Sequence, residues 1–365
     1  SAASDVYKRQ FIGCLGSYSC KGIMKLFPEI LLGFAACLTA SVCEAQQTLR
    51  VMEYNVENLF DCRHDSLKND SEYLPHSVRG WSWKRYHEKL NRIAKVILAA
   101  SREQVPDLVG LCEVENAYCL DGLVKYSPLR DAAYRYVMTD SPDERGIDVA
   151  LLYQPSSFRL ISDQHIRIPS YKIGRKPTRD ILHVTGRVVS GDTLDVFICH
   201  MPSRSGGEKQ SEPYRLLTAR VLRHAADSVM KIRQTPYLII MGDFNDYPES
   251  RSVCRTLGAG KPEKDIDSYR LYNLMNGKQG GTYRYRGEWG ILDQLILNGT
   301  FLNHTGNLTT EYNRARILTF PFLLEEDENY GGDKPFRTYN GMKYHGGYSD
   351  HLPVCVDIDI KYPAP

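Results

Sequence analysis

The 365-residue sequence has no strong charge bias: 46 Lys and Arg stand against 44 Asp and Glu, a formal net charge of +2. That excludes a general basic coat for polyanions, so any nucleic-acid contact must be local to a site. No CxxC pair occurs among the ten cysteines. Cys112, Cys199 and Cys355 lie inside apolar, strand-like runs, so buried free thiols are expected rather than a disulfide framework, with Cys62 left as a possible bridge partner. No apolar run beyond the first 45 residues approaches the roughly 20 residues that span a bilayer, which excludes stable insertion of the later chain. Internal repeats and low-complexity linkers are also missing. With 42% hydrophobic and 25% charged residues, what is left is an ordinary globular composition.

The N-terminus reads differently from the rest. Residues 1–23 contain no Met and begin SAASDVYKRQ, which resembles a non-native or untranslated extension. Met24 is the expected start, followed by Lys25, an apolar segment Ile30 to Val42, and Cys43-Glu44-Ala45 before Gln46. This is the layout of a signal peptide over residues 24–45, and it predicts a secreted or periplasmic product. Phe34-Ala35-Ala36-Cys37 is a loose lipobox that keeps a lipoprotein reading open. Residues 46–365 are expected to form one domain and to act as a monomer.

From Leu49 onward, apolar β-branched runs alternate with amphipathic segments. Strands are predicted at Leu49–Tyr54, Asp107–Cys112, Ile147–Tyr153, Arg159–Ile168, Ile181–Val189, Leu194–Cys199, Tyr237–Met241, Leu292–Leu297 and Leu352–Ile358. Helices are predicted at Trp83–Ala100 and Arg215–Ile232, each with an apolar stripe at helical spacing. Many strands with two long helices between them predict an α/β architecture of two sheets covered by helices.

Polar residues of catalytic type cluster where these strands end, as ligand sites do in layered α/β folds. Asn55 and Glu57 follow the first strand, Glu113 the second, and His200 closes another. Asp243 and Asn245 follow Ile239-Ile240-Met241, and Asp350-His351 enters the last strand. Asp-x-Asn offers a carboxylate to orient or deprotonate water and an amide for phosphate. It equally suits a turn. Glu113 is placed to ligate a hard cation; Glu115 is the alternative, facing the other way along an extended chain.

The order Asn, Glu, His, Asp-x-Asn, Asp, Asp-His resembles the endonuclease/exonuclease/phosphatase superfamily. The blocks that carry the resemblance are YNVENLFD (54–61), LCEVEN (111–116), RGIDVALLY (145–153), CHMPSRSGG (199–207), MGDFND (241–246), GEWGILDQ (287–294) and YSDHLP (348–353). Its secreted bacterial nuclease-like branch looks most similar. The resemblance implies a DNase I-like four-layer sandwich, with two central, mostly antiparallel β-sheets flanked by helices. It implies Mg²⁺, with Mn²⁺ as a substitute, held by Glu113 with Asn55 and Asp350. It casts Asp243 as the group that aligns the attacking water and Asn245 as a phosphate-orienting amide. His351 would be the charge-stabilising imidazole, oriented by Asp293, and His200 a second histidine that protonates the leaving oxygen. Arg179, and further out Arg145, would contact phosphate. Asp148 is a candidate to orient His200.

The implied reaction is metal-assisted attack of water on a nucleic-acid phosphodiester, DNA rather than RNA, by endo- or exonucleolytic action. A sphingomyelinase-like or other small-molecule phosphoesterase is the alternative, and a non-catalytic binding protein on the same fold the second. Trp289-Gly290-Ile291-Leu292-Asp293-Gln294 departs from the Trp-Cys-Asp-Arg block of inositol-polyphosphate phosphatases. Arg145, Arg179, Arg204, Arg284 and Arg286 are expected around the site mouth, where they would grip successive phosphates. Tyr283 and Tyr285 alternate with arginines and could stack bases. The stretch from Phe320 to His345 is longer than the simplest relatives need. Its acidic run Glu325 to Glu328 is expected to be solvated.

Overall fold

A computed structural model describes residues 47–102 and 104–361. The expectations for residues 1–23 and for a signal peptide at 24–45 concern residues outside those described. Along the chain run β1 (Gln47–Leu59), α1 (Trp83–Ala99), β2 (Leu108–Val114), α2 (Ala117–Tyr126), β3 (Arg135–Met138), β4 (Asp148–Tyr153), β5 (Phe158–Ile166), β6 (Ile181–Val188), β7 (Thr193–His200), α3 (Glu208–Ile232) and β8 (Leu238–Asp243). Then come β9 (Ala259–Gly260), β10 (Leu271–Asn273), β11 (Tyr283–Tyr285), β12 (Glu288–Gly290), β13 (Asp293–Asn298), β14 (Leu308–Thr309) and β15 (Arg316–Ile317). Two short hairpins, β16 (Leu324–Glu326) with β17 (Asp333–Pro335) and β18 (Tyr339–Asn340) with β19 (Lys343–Tyr344), precede β20 (Val354–Ile360).

One sheet has the order β14-β20-β1-β2-β4-β3, with β15 also on β20; the other has the order β5-β6-β7-β8-β13-β10-β9. Pairing is antiparallel except at β1–β2, β7–β8 and β9–β10, so both sheets are mostly antiparallel, as expected. Alternation along β1 explains the layering. Leu49 and Val51 point into a core shared with Val196, Ile239 and Leu295 of the other sheet. Met52 and Tyr54 point the opposite way, into a second core with Leu90, Ile93 and Leu123 of the helices. A third core sets Leu222, Ala226 and Val229 of α3 against Phe197 and Ile240. Three cores between four layers are the sandwich the motifs imply.

Helix α1 follows its stripe, with Ser82 capping it by accepting from the Arg85 N–H. Helix α3 begins seven residues before the predicted Arg215, because Pro213 is accommodated within the helix and Ser211 bonds back to the Gly207 carbonyl. Helix α2 was not expected. Its N-cap is Asn116, whose side chain accepts from the Cys119 N–H at 3.0 Å, so this motif residue serves the helix. The six cysteines among the described residues are free; buried free thiols at Cys112, Cys199 and Cys355 match the expectation, and the bridge left open for Cys62 is not formed. No helix of the described residues is long and apolar enough to cross a membrane.

Candidate active site

Strand register assembles the site. Parallel β7–β8 sets His200 beside Asp243, and antiparallel β8–β13 sets Asp293 on its other side. Three residues far apart in sequence thus form one row across the sheet. Strands β7 and β8 approach so closely there that a Cβ at Gly242, which has φ +142°, would lie 1.8 Å from the Cys199 carbonyl oxygen. Backbone strain gathers at the same place. Among the described residues, seven non-glycine residues have positive φ, and four of them are Glu57, Asn58, Glu113 and Asn245. Such conformations cost of order 1–3 kcal/mol each and persist where the surroundings over-determine them. At Glu57 and Asn58 the cause is a bulge in β1, whose register against β2 slips between Asn55 and Leu59.

His351 Nδ1 and Asp293 Oδ2 are 2.8 Å apart, and both residues are buried. Burial opposes charge on His351, but the carboxylates of Asp293 and Asp243 outweigh it and hold the imidazole well above its ordinary pKa. The backbone of His351 is fixed by the Ser349 hydroxyl, which accepts from the main-chain His351 N–H at 3.1 Å and donates to the Asn55 carbonyl. Tyr283 packs its ring 5.0 Å from that of His351. Asp243 Oδ2 accepts from the Asn55 amide at 3.1 Å, and Oδ1 from the Asn245 N–H at 2.8 Å. Burial pushes the Asp243 carboxyl up to about 7, against the pull of His351. His200 Nε2 lies 3.4 Å from Asp243 Oδ2 and 3.8 Å from Glu113 Oε1. Burial, then Arg179 and Arg145, hold His200 well below its ordinary range, so it is a neutral imidazole. Of the two histidines, His351 is the one whose surroundings favour the charged imidazolium.

Two donor groups bear on a metal. Ligand atoms of Asp243, Asp293 and His351 all lie within 4.8 Å of one another, and Asp293 Oδ1 has no hydrogen-bond partner. An ion bound through all three would have to displace the proton that the carboxylates keep on His351. The second group is all oxygen. Glu57, Glu113 and Asp350 each act on the buried ammonium of Lys89, which burial and these opposing charges leave at about 8. Hard carboxylate oxygens suit Mg²⁺ or Mn²⁺, which makes this all-oxygen set a candidate for a divalent cation, although among the described residues it is Asp243, Asp293 and His351 whose ligand atoms lie close together. Asn55 is committed elsewhere: its amide donates to Asp243 and its oxygen accepts from the Glu57 N–H at 3.0 Å. Asp350 accepts from Arg337 at 2.9 Å, while Glu113 accepts from the Asn58 N–H at 2.9 Å. Glu115 points away and accepts from the Asp61 N–H at 2.7 Å, which leaves Glu113 as the one facing the site.

The peripheral expectations fare less well. Arg179 is buried, with its guanidinium on the carbonyls of His200 and Met201 and on Asp143, so it braces β7 instead of facing solvent. Arg204 binds the Asn245 carbonyl and Asp246. Arg284 binds the carbonyls of Gly287, Gly331 and Asp333. Asp148 bonds Thr139 and Ser141, and His200 Nδ1 has no partner, so Asp148 does not orient His200. Arg145 stays half-exposed, 2.7 Å from Asn58 Oδ1 and 3.9 Å from Glu113. The acidic run is not simply solvated, since Glu325 pairs with Lys334 and His345, and Asp327 with Arg284. Tyr339 and Tyr344 pack edge to face within the loop, and Tyr330 is exposed.

Three residues of the site had no role assigned to them from the sequence. Glu57, visible in the YNVEN block, faces Arg337 at 3.3 Å. Lys89 hides among the polar residues of α1 yet is fully buried, donating to Thr338 Oγ1 and the Tyr348 carbonyl at 2.6 Å each. Glu53 is fully buried beside the row, its Oε1 accepting from the Cys112 thiol at 3.7 Å. Burial, then Asp293 and Asp243, hold the Glu53 carboxyl well above its usual range.

Two mixed sheets packed face to face, with a His–Asp–Asp row at their strand ends, define the DNase I-like class of α/β sandwich. The chain belongs to the Endonuclease/Exonuclease/phosphatase family, whose model matches residues 50–360. Members are typically metal-dependent phosphoesterases. Among solved structures, it is similar to an endonuclease/exonuclease/phosphatase family protein from Bacteroides thetaiotaomicron, at 16% identity over 87% of this chain and 99% of that one, TM-score 0.53. A mannosyl-6-phosphatase from Bacteroides thetaiotaomicron VPI-5482 is similar at 17% identity over 85% and 99%, TM-score 0.53. TDP2 from D. rerio complexed with single strand DNA product is similar at 13% identity over 85% and 98%, TM-score 0.52. At these identities the likeness is one of fold. No curated protein matches the chain.

Proposed function

We propose that this protein hydrolyses nucleic-acid phosphodiesters, DNA before RNA, with Mg²⁺ or Mn²⁺ held by Glu57, Glu113 and Asp350. The bound ion supplies polarisation of a phosphoryl oxygen and a counter-charge for the transition state. Asp243, with a pKa near neutrality, takes the proton of the attacking water, positioned by the amides of Asn55 and Asn245. The His351 imidazolium donates from Nε2 to a non-bridging oxygen as charge builds there. Asp293 keeps that ring charged and oriented. His200, being neutral, offers a hydrogen bond to the phosphate in place of the acid role the resemblance implies. Export stays part of the proposal, supported by the segment 24–45.

The observation that carries the substrate is the β11–β12 hairpin at the mouth. Tyr283 touches His351, and two residues on Tyr285 stands 60% exposed with the Arg286 guanidinium 5.2 Å from its ring centre. This is a platform on which a base flanking the scissile phosphate can stack. The similar TDP2 structure holds a single strand DNA product, which supports the reading. With Arg179, Arg204 and Arg284 committed to internal bonds, the phosphate track is short, Arg145 and Arg286. That same shortness favours a second reading, a small phosphorylated sugar, in line with the similar mannosyl-6-phosphatase. The test is turnover by the purified protein, in Mg²⁺ and in EDTA, on single-stranded and duplex DNA, RNA, mannose 6-phosphate and sphingomyelin. Mg²⁺-dependent cleavage of single-stranded DNA is expected. Hydrolysis of the sugar phosphate or the lipid with DNA untouched would overturn the assignment.

A further inference from the structure

Beside the catalytic row lies a compact group of fixed charges. Glu57, Glu113 and Asp350 contribute three negative charges; Lys89, Arg337 and Arg145 contribute three positive ones. Arg337 bridges two of the carboxylates, with Nε 3.3 Å from Glu57 Oε1 and Nη2 2.9 Å from Asp350 Oδ2. The other oxygen of Glu57 accepts from the Thr338 N–H at 2.6 Å. A divalent cation entering this balanced, part-buried group would leave two uncompensated positive charges, which a low-dielectric site disfavours strongly. Release of one resident cation offsets one of those two charges.

The surroundings single out which one. Lys89 is 0% exposed and pinned at its tip by Thr338 and the Tyr348 carbonyl. Arg145 lies 3.9 Å from Glu113, too far for a direct bond. The side chain of Arg337 is 38% exposed, and it borders a cavity of about 260 Å³ lined also by Glu57, Asn58, Tyr73, Arg79 and Gly341. The backbone around it is fixed, because the Arg337 carbonyl accepts from the Gly347 N–H and Phe336 pairs with Tyr348. The side chain has room to move while the chain does not.

We propose that Arg337 is the built-in counter-ion of the metal site: a divalent cation takes Glu57 and Asp350 in exchange for its guanidinium, which withdraws into the adjoining cavity. The proposal rests on the metal assignment made above. It gives the long segment before the last strand a task, since that segment carries Arg337. In the metal-free protein Arg337 offsets the carboxylate repulsion that would loosen the site, and it competes with the metal for the same oxygens.

The test is isothermal titration of the full chain with Mg²⁺, wild type against Arg337→Met. Removing the competing guanidinium should tighten Mg²⁺ binding about tenfold or more, and Arg337→Lys, which keeps a charge but not the bridge, should fall between. Unchanged or weaker affinity in Arg337→Met overturns the exchange. If the Met variant does not fold, the Arg337 side-chain Nε–H resonance of the wild type answers the question. It should shift and lose protection from solvent on Mg²⁺ addition, and an unmoved signal at saturating Mg²⁺ overturns the proposal. Binding to neither protein would remove the metal assignment and the exchange together. Equal binding with an unmoved resonance would remove the exchange alone.

Discussion

Asp293 is fully buried, and its carboxylate meets His351 Nδ1 at 2.8 Å. Its replacement by Asn keeps the shape and removes the charge that outweighs burial at His351. His351 must be protonated to act, so its role is lost as pH rises through a pKa held well above the usual value. Asp243 must be ionised, so its role is gained as pH rises through about 7. The expected profile climbs near neutrality and falls on the alkaline side. Asp293→Asn should move the alkaline limb to lower pH, and His351→Ala should cost about 3–4 kcal/mol of transition-state stabilisation, the range for a key donor. A pH–rate series on the two proteins checks both, and an unmoved alkaline limb speaks against the pairing. The row itself was legible because its members sit at the ends of apolar, strand-like runs, His200 and Asp243 at the last residue and Asp293 at the first. Which arginines would face a ligand was not. Arg179 and Arg284 find carbonyls that only the folded chain brings near, and Arg337 meets Glu57 across 280 positions of sequence.

At the level of elements, the C-terminal end of α3 is tied to β7 by one carboxylate. Asp195 is fully buried and receives Arg233 at 2.7 and 2.9 Å, Thr185 at 2.6 Å, and His183 at 3.0 Å. Burial raises its pKa, but these bonds together win and lower it to about 2. A depressed carboxyl contributes stability above its unfolded value, near 4, and loses it as pH falls towards about 2. The difference corresponds to about 2 kcal/mol. Asp195→Asn should therefore lower unfolding free energy by that order at neutral pH and flatten its decline between about pH 4 and pH 2. Denaturant melts at a few pH values measure this, and an undiminished acid dependence in the variant would show that Asp195 is not its source. Nine strands and the two long helices were readable from apolar runs and helical period. Helix α2 and the first turns of α3 were not, because Gly122 and Pro213 interrupt their patterns and only an N-cap bond or tertiary packing restores the helix.

Across the whole molecule, three stacked cores hold the strand ends of both sheets at one rim, where the row and the carboxylate group lie. At that rim, Arg145 and Arg286 are the arginines of the expected ring not engaged by backbone carbonyls or Asp246. Two phosphate contacts on a single strand predict a log–log salt slope of only about −1.4 for DNA binding, measurable by fluorescence anisotropy, and a slope several-fold steeper would mean a basic track the fold does not provide. The central claim, that this rim hydrolyses phosphodiesters with a divalent ion and the His351–Asp243 pair, is tested most directly by cleavage of a labelled single-stranded oligonucleotide by the purified protein. The rate should fall to background in EDTA, return on adding Mg²⁺ in excess, and stay at background in His351→Ala under both conditions. Cleavage that persists in chelator, or that His351→Ala retains in full, would contradict it.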